Sequence, residues 1–307
     1  MELRQLEYFL AITDCGAFSR AAAKVSVAQP VLSRQIKALE DTLGAKLYHR
    51  TGRGVALTEA GKLLEKYARA MVQARSAAEY EIATLGLSPS GHVSLGMPPS
   101  VTAALAGPLV QRFSQKYPNV LLGVMEGFSA HVLEWLIAGR IDVAVLYDTP
   151  HSRTVSTDEL LTDELFLLGP MNDPFGVGDG VVPTAALKEI PLILPSRPHG
   201  LRLLVDSVLA RLGGLVANVR IEIDAMPSTL KLVESGVAYT VLSYACVHDL
   251  VAAGRIRYWR LEPTMNRKLI LASSTLRPST EASRALAQTV RSQARAMLRS
   301  GQWSPRS

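Results

Sequence analysis

The stretch AQPVLSRQIKALEDTLG, residues 28–44, has two faces of different chemistry. Leu32, Ile36, Leu39 and Leu43 recur at steps of four, three and four, so one side of a 3.6-period helix is apolar. Pro30 falls in the first turn, where a missing N–H costs nothing, and Gly44 suits the end. The opposite side carries Gln29, Pro30, Ser33, Arg34 and Lys37. An ordinary solvated face is richer in Glu and Lys. A row of amide, hydroxyl and cation is what a helix needs to meet base edges in a major groove about 12 Å wide.

The neighbouring residues support this reading. LRQLEYFLAITD, from Leu3 to Asp14, predicts an amphipathic helix closed by Cys15-Gly16. FSRAAAKV predicts a second, short helix with Ser19 as its N-cap, and Ala21, Ala22 and Ala23 let another helix approach closely. Ser26-Val27 is then the turn of a helix-turn-helix whose second member is the quoted segment. After it, LYHRTGRGVALTEAG places Leu47, Val55 and Leu57 around a turn through Thr51–Gly54. That hairpin would form a wing with Arg50 and Arg53 at its edge. From Thr58 to about Leu87 an apolar stripe of roughly 3.5-residue period predicts one long helix. It would be a dimerising linker rather than a core helix, because its other face is polar and a Gly/Pro/Ser break follows.

Residues 91–307 alternate β-type and helical runs. HVSLGM, VLLGVME and IDVAVLY alternate with helices, and PLILP, VRIEID and VAYTVLS repeat the rhythm. This βαβαβ order predicts a parallel sheet in each of two α/β lobes. KLILASST and a final helix, about Thr280–Leu298, would return to the first lobe.

Composition agrees. With 48% hydrophobic and 20% charged residues the chain is globular rather than disordered. Half of its net +6 charge falls within the first 58 residues, which fits a polyanion partner there. Neither a signal-peptide pattern nor an apolar run long enough for a membrane span is present, so a cytoplasmic protein is expected. Two distant cysteines, Cys15 and Cys246, make no metal site and are expected to be small buried groups. HExxH, GxSxG, P-loop and Rossmann motifs are lacking, and the six histidines are scattered. No catalytic residue, metal or cofactor is therefore expected.

LRQLEYFLAI followed by GAFSRAAAKVSVAQPVLSRQIKALEDTLGAKLYHRTGRGVALTEAG resembles the DNA-binding end of the LysR-type transcriptional regulators. SGHVSLGMPPSV, IDVAVLYD and DELFLLG look most like the nitrogen assimilation control branch of that family. The resemblance implies an N-terminal winged helix-turn-helix (1–58), a dimerising linker helix (59–87), a hinge (88–91) and a two-lobed α/β effector domain similar to periplasmic binding proteins (92–307). Lobe I would cover about 92–161 and 267–303, and lobe II about 162–266. It also implies an activator or repressor that binds double-stranded promoter DNA, as a homodimer assembling to a homotetramer, and that meets RNA polymerase if it activates.

The residues expected at DNA are Ser19, Gln29, Pro30, Ser33, Arg34, Lys37, Arg50 and Arg53. Many relatives carry Ser or Thr at the position of Ala28, so Ser26 is expected to cap the helix instead. If the two-lobe reading holds, a small organic effector, often a carboxylate in this family, binds between the lobes at the carboxyl ends of strands. Its lining would come from Ser100, Thr102, Ser129, Ser196, His199, Arg202 and Tyr244. One alternative stays open: a constitutive regulator with no effector, whose activity is set by its abundance.

Overall fold

The computed structural model describes residues 1–51, 54–83, 89–147 and 154–305. Helix α1 (Leu3–Cys15) begins with a capping box between Glu2 and Gln5. It ends at Gly16, whose left-handed φ of 66° only glycine adopts cheaply. Helix α2 (Phe18–Lys24) starts two residues before expectation: its N-cap is Ala17, so Ser19 sits inside the first turn and does not cap it. Helix α3 (Gln29–Leu43) is capped by Ala28 without a side-chain bond. Ser26 instead takes a left-handed turn conformation (φ 55°), which corrects its expected capping role.

The apolar sides of these helices converge. Leu6, Phe9, Ile12, Leu32, Ile36 and Leu39 are buried together, and the small Ala21 and Ala22 admit α3 closely. Leu43 is 41% exposed, so the buried stripe stops one turn earlier than its spacing suggests. Strands β1 (Tyr48–Thr51) and β2 (Gly54–Leu57) pair antiparallel as the expected hairpin.

Helix α4 (Glu59–Ala83) follows the hairpin and covers most of the span expected of the linker. Thr58 opens it: its Oγ1 accepts from the Gly61 N–H at 3.0 Å and donates to the Lys46 carbonyl at 2.6 Å. Two ion pairs tie α4 to α1, Arg69 to Asp14 at 2.6 Å and Arg75 to Glu7 at 2.7 Å. Residues 84–88, the end of the expected helix and the start of the hinge, lie outside the described residues.

The remaining strands are β3 (Gly91–Met97), β4 (Val120–Glu126), β5 (Val143–Tyr147), β6 (Val155–Pro170), β7 (Val182–Pro183), β8 (Leu192–Leu194), β9 (Val219–Glu222), β10 (Thr240–Ser243) and β11 (Ile256–Ser274). The helices among them are α5 (Pro99–Lys116), α6 (Ser129–Ile137), α7 (Gly200–Arg211), α8 (Met226–Glu234), α9 (His248–Ala252) and α10 (Glu281–Ser300). The main sheet runs β10-β6-β11-β5-β3-β4, with β7 beside β11.

This sheet is mixed, which corrects the expected parallel one. β3 pairs parallel with β4 and β5, but β11 is antiparallel to β5 and β6, and β10 is antiparallel to β6. The long pair β6/β11 is the cause. It threads two separate hydrophobic cores, one around Leu95, Val101, Phe113, Leu271 and Leu286, the other around Leu167, Ile193, Val205, Tyr239 and Trp259. A register break between Arg260 and Met265 lies in the β11 half that serves the second core. Helix α10 returns to the first core, where Ala282, Leu286 and Val290 are buried.

Candidate nucleic-acid interface and effector cleft

Helix α3 separates its two chemistries cleanly. Leu32, Ile36 and Leu39 are buried, while Gln29, Pro30, Ser33, Arg34 and Lys37 are all exposed on the other side. Gln29, Ser33 and Lys37 follow at i, i+4 and i+8 and form one row. Ser19 is exposed in the first turn of α2. The backbone of Arg50 belongs to β1; its side chain, and the whole of Arg53, lie outside the described residues. This surface can present an amide, a hydroxyl and cations to a duplex without disturbing the core.

On α4 the side chains of Leu63, Tyr67 and Met71 are 62%, 47% and 41% exposed. Three large apolar groups at steps of four on one exposed face are unusual for a solvated helix.

The second candidate site sits where β6 and β11 pass between the cores. Ser100, in the first turn of α5, is buried, and its Oγ lies 3.3 Å from the Tyr147 hydroxyl. Ser129, the first residue of α6, accepts the Tyr147 N–H on its Oγ at 3.2 Å. Tyr147, at the end of β5, therefore joins the two. His199 caps α7 by accepting the Leu201 N–H on Nδ1. Its ring meets Phe128, the N-cap of α6, edge-on at 4.6 Å between centroids. Burial, with the nearby positive charge of Arg267 adding to it, holds the His199 imidazole below its ordinary pKa, so the ring is uncharged at neutral pH.

Four other expected lining residues already have partners within the chain. Arg202 is buried, with its guanidinium donating to Glu222 at 2.7 Å, to Asp206 and to the Pro195 carbonyl. Ser196 donates to Asp224, whose carboxyl is held below its usual range by the Ser196 hydroxyl and amide. Tyr244 belongs to an aromatic cluster with Phe166, His248 and Tyr258. Thr102 donates to the Pro98 carbonyl of its own helix turn.

Sequence reasoning missed the centre of the site. Asp163 of β6 and Arg267 of β11 are cross-strand partners, 0% and 7% exposed. Asp163 Oδ2 accepts from Arg267 Nε and from the Tyr147 hydroxyl, each at 3.1 Å. Its Oδ1 accepts from Ser243 Oγ at 2.6 Å and from the Trp303 indole N–H at 3.0 Å. The Arg267 guanidinium lies 3.5 Å over the Tyr147 ring and reaches Ser100 Oγ at 3.4 Å. Cys246 is adjacent, its thiol pushed up to about 12 by burial and the neighbouring Asp163. It is therefore no nucleophile.

Helix α6 connects this site to the linker. Its first residue holds Tyr147, while its last turn faces Arg277, whose Nη2 donates to the Leu136 carbonyl at 2.6 Å and the Ile141 carbonyl at 3.2 Å. Arg277 also donates to the Gln73 side chain on α4, and the Gln73 amide donates to the Gly139 carbonyl at 2.7 Å. Arg140 lies 3.6 Å from Glu65 of α4. Burial lowers the pKa of Arg277 from its ordinary value, and the charge of Asp142 opposes that shift. Among the described residues no group of three or more His, Cys, Asp and Glu could hold a metal, and no helix is long and apolar enough to cross a membrane.

A helix-turn-helix with a wing, joined by a long helix to an α/β domain with two cores, defines a class of DNA-binding regulator. Residues 3–62 match the bacterial regulatory helix-turn-helix protein, lysR family, and residues 87–295 match the LysR substrate binding domain. The chain belongs to the LysR family: it is a LysR-type DNA-binding transcriptional regulator. It is 33% identical over 297 residues to the nitrogen assimilation regulatory protein nac of Escherichia coli, covering 94% of this chain and 95% of nac. Its fold is similar to a full-length OxyR cysteine variant from Pseudomonas aeruginosa, with a TM-score of 0.80, 24% identity and coverage of 96% and 97%. It is also similar to full-length CbnR complexed with its target DNA, with a TM-score of 0.65, 22% identity and coverage of 95% and 100%. The family and these relatives are regulators and not enzymes.

Proposed function

We propose that this regulator reads a promoter operator with the exposed row of α3 and that a small organic effector bound between its two cores alters the way it does so. The proposal divides the chain into a DNA-binding domain (1–58), a linker helix (59–87), a hinge (88–91) and an effector domain (92–307). One observation carries it: Gln29, Pro30, Ser33, Arg34 and Lys37 all face solvent while their helix is anchored by Leu32, Ile36 and Leu39. Gln29 can pair both edge positions of an adenine and Arg34 can fork onto a guanine. Pro30 offers apolar contact to a thymine methyl, and Lys37 with Ser19 suits phosphates. Arg50 and Arg53 would grip the backbone from the wing. The exposed Leu63, Tyr67 and Met71 would pair linker helices in a homodimer, and effector domains would pair further into a tetramer. RNA polymerase would be a further partner at activated promoters.

Gln29→Ala and Arg34→Ala are each expected to remove about 1–3 kcal/mol of discrimination between cognate and scrambled operator. Lys37→Ala should weaken both equally and reduce the slope of log affinity against log salt by about 1. Titrations at several salt concentrations measure all three. If both recognition variants discriminate like wild type, α3 is not the reading helix.

Ligand control needs a route from cleft to DNA, and α6 supplies one, with Ser129 at one end and the Gln73–Gly139–Arg277 latch at the other. Gln73→Ala is expected to change the bend angle of bound operator DNA while leaving the melting of the effector domain unaltered. An unchanged bend in a permutation gel assay would exclude the route. The reading also requires the effector to favour one arrangement over the other, since equal affinity for both shifts nothing.

A further inference from the structure

The buried ion pair in the seat between the two cores carries no net charge before anything binds. Arg267 provides a cation at its floor, with a side chain 6% exposed. The carboxylate of Asp163 lies 3.1 Å from it and is itself 0% exposed. Asp163 is also saturated, with Ser243, Trp303, Tyr147 and Arg267 all donating to it. His199, across from Phe128, adds no charge at neutral pH.

Hydrogen-bonding capacity nevertheless survives. Arg267 Nε and Nη2 face Asp163, and Nη2 reaches Ser100. Nη1 has no hydrogen-bond partner among the described residues, although the guanidinium is buried over Tyr147. Tyr147 gives its single proton to Asp163, so the Ser100 hydroxyl is left to donate either to the Tyr147 oxygen or to a ligand. A buried donor without an acceptor is costly, and a ligand that brings an acceptor removes that cost. A ligand that brings a full negative charge gains the same bonds but must be desolvated. It would meet only the partial positive charges at the starts of α5, α6 and α7, because the formal charge of Arg267 is already offset by Asp163.

We propose that the effector seat of this chain selects an uncharged polar ligand, one presenting a carbonyl, amide or ring-nitrogen acceptor to Arg267 Nη1 and Ser100, and discriminates against the carboxylate of the same shape. The inference rests on the reading of this cleft as the effector site, and it narrows the chemical class expected from the family resemblance. Asp163 is a built-in counter-ion that occupies the charge a carboxylate effector would need.

The test uses matched acid and amide pairs as probes: acetate with acetamide, benzoate with benzamide and nicotinate with nicotinamide. Thermal stabilisation of the full-length protein is titrated with each, since a ligand that binds only the native state raises the melting temperature. Two variants accompany the wild type. Thr102→Trp fills the half-buried mouth beside Ser100, and His199→Lys adds one positive charge at the rim. The expected result is that amides stabilise the wild type at concentrations roughly tenfold or more below their acids. Thr102→Trp should lose the response, and His199→Lys should reverse the preference. Acids binding the wild type as well as or better than amides, with the response lost in Thr102→Trp, would overturn the neutral-ligand inference and leave the cleft reading standing. A response retained in Thr102→Trp, or silence of the wild type to every pair, would overturn both.

Discussion

Asp163→Ala is expected to destabilise the effector domain by about 3–5 kcal/mol, the range found when one member of a buried ion pair is removed. The substitution deletes the only carboxylate bonded to Arg267 among the described residues and leaves that buried guanidinium without it. It also strips the acceptor from the Trp303 indole and the Ser243 hydroxyl, both buried donors. The pair itself need not be stabilising relative to an apolar pair of similar size, because its desolvation opposes its attraction. A second variant separates these effects: Asp163→Leu with Arg267→Met should lose clearly less stability than Asp163→Ala alone. Urea unfolding of the effector-domain transition measures both. An Asp163→Ala protein within about 1 kcal/mol of wild type would mean the pair behaves as a solvated one.

The same pair marks the limit of what the chain displays in its order. Asp163 stands in TDELF and Arg267 in NRKL, stretches whose charges read as solvated loop or edge. Nothing local announces that they face each other across two strands separated by about a hundred residues. Only the long β6/β11 ladder brings them into register. That ladder was itself concealed: Ser156 to Glu159 are exposed, whereas Leu165 to Pro170 are buried without interruption, so β6 shows neither steady alternation nor one apolar run. A strand passing from one core to another changes its surroundings midway, and periodicity needs constant surroundings.

The recognition helix was legible for the opposite reason. One face of α3 packs on α1 and α2 along most of its length and the other is exposed at Gln29, Pro30, Ser33, Arg34 and Lys37, so each position has one environment and the pattern records it. The expected caps fared less well. Ser19 and Ser26 are good capping residues by type, yet the N-caps are Ala17 and Ala28, neither of which makes a side-chain cap bond. In the candidate effector cleft, Ser100, Ser129 and His199 stand out in the sequence because each lies at the start of a helix after a strand. Ser196, before that last helix, and Arg202, in its first turn, are bonded to Asp224, Asp206 and Glu222, acidic residues whose approach depends on the tertiary fold.

Gly61→Ala is expected to impair operator binding through backbone displacement alone. Gly61 lies in the first turn of α4, where a Cβ would stand 2.2 Å from the Leu47 carbonyl oxygen and 2.9 Å from Leu57 Cδ2. The first neighbour is backbone and cannot rotate away. That carbonyl already accepts the Thr58 N–H at 3.0 Å, so the wing and the start of the linker are fixed by the same atom. Relief of the clash must shift α4 from the wing, and overpacking of this kind costs about 1–3 kcal/mol or more. The recognition helix and the wing would no longer present one surface, so operator affinity should fall roughly tenfold at an equal cost in free energy. Gly200→Ala in the first turn of α7 is the control: a Cβ there meets nothing within 4 Å, so alanine should leave operator affinity unchanged. Anisotropy titration with labelled operator, beside the melting of each variant, distinguishes a displaced wing from a general loss of fold. Wild-type affinity in Gly61→Ala would show that the wing and linker can separate without consequence for DNA.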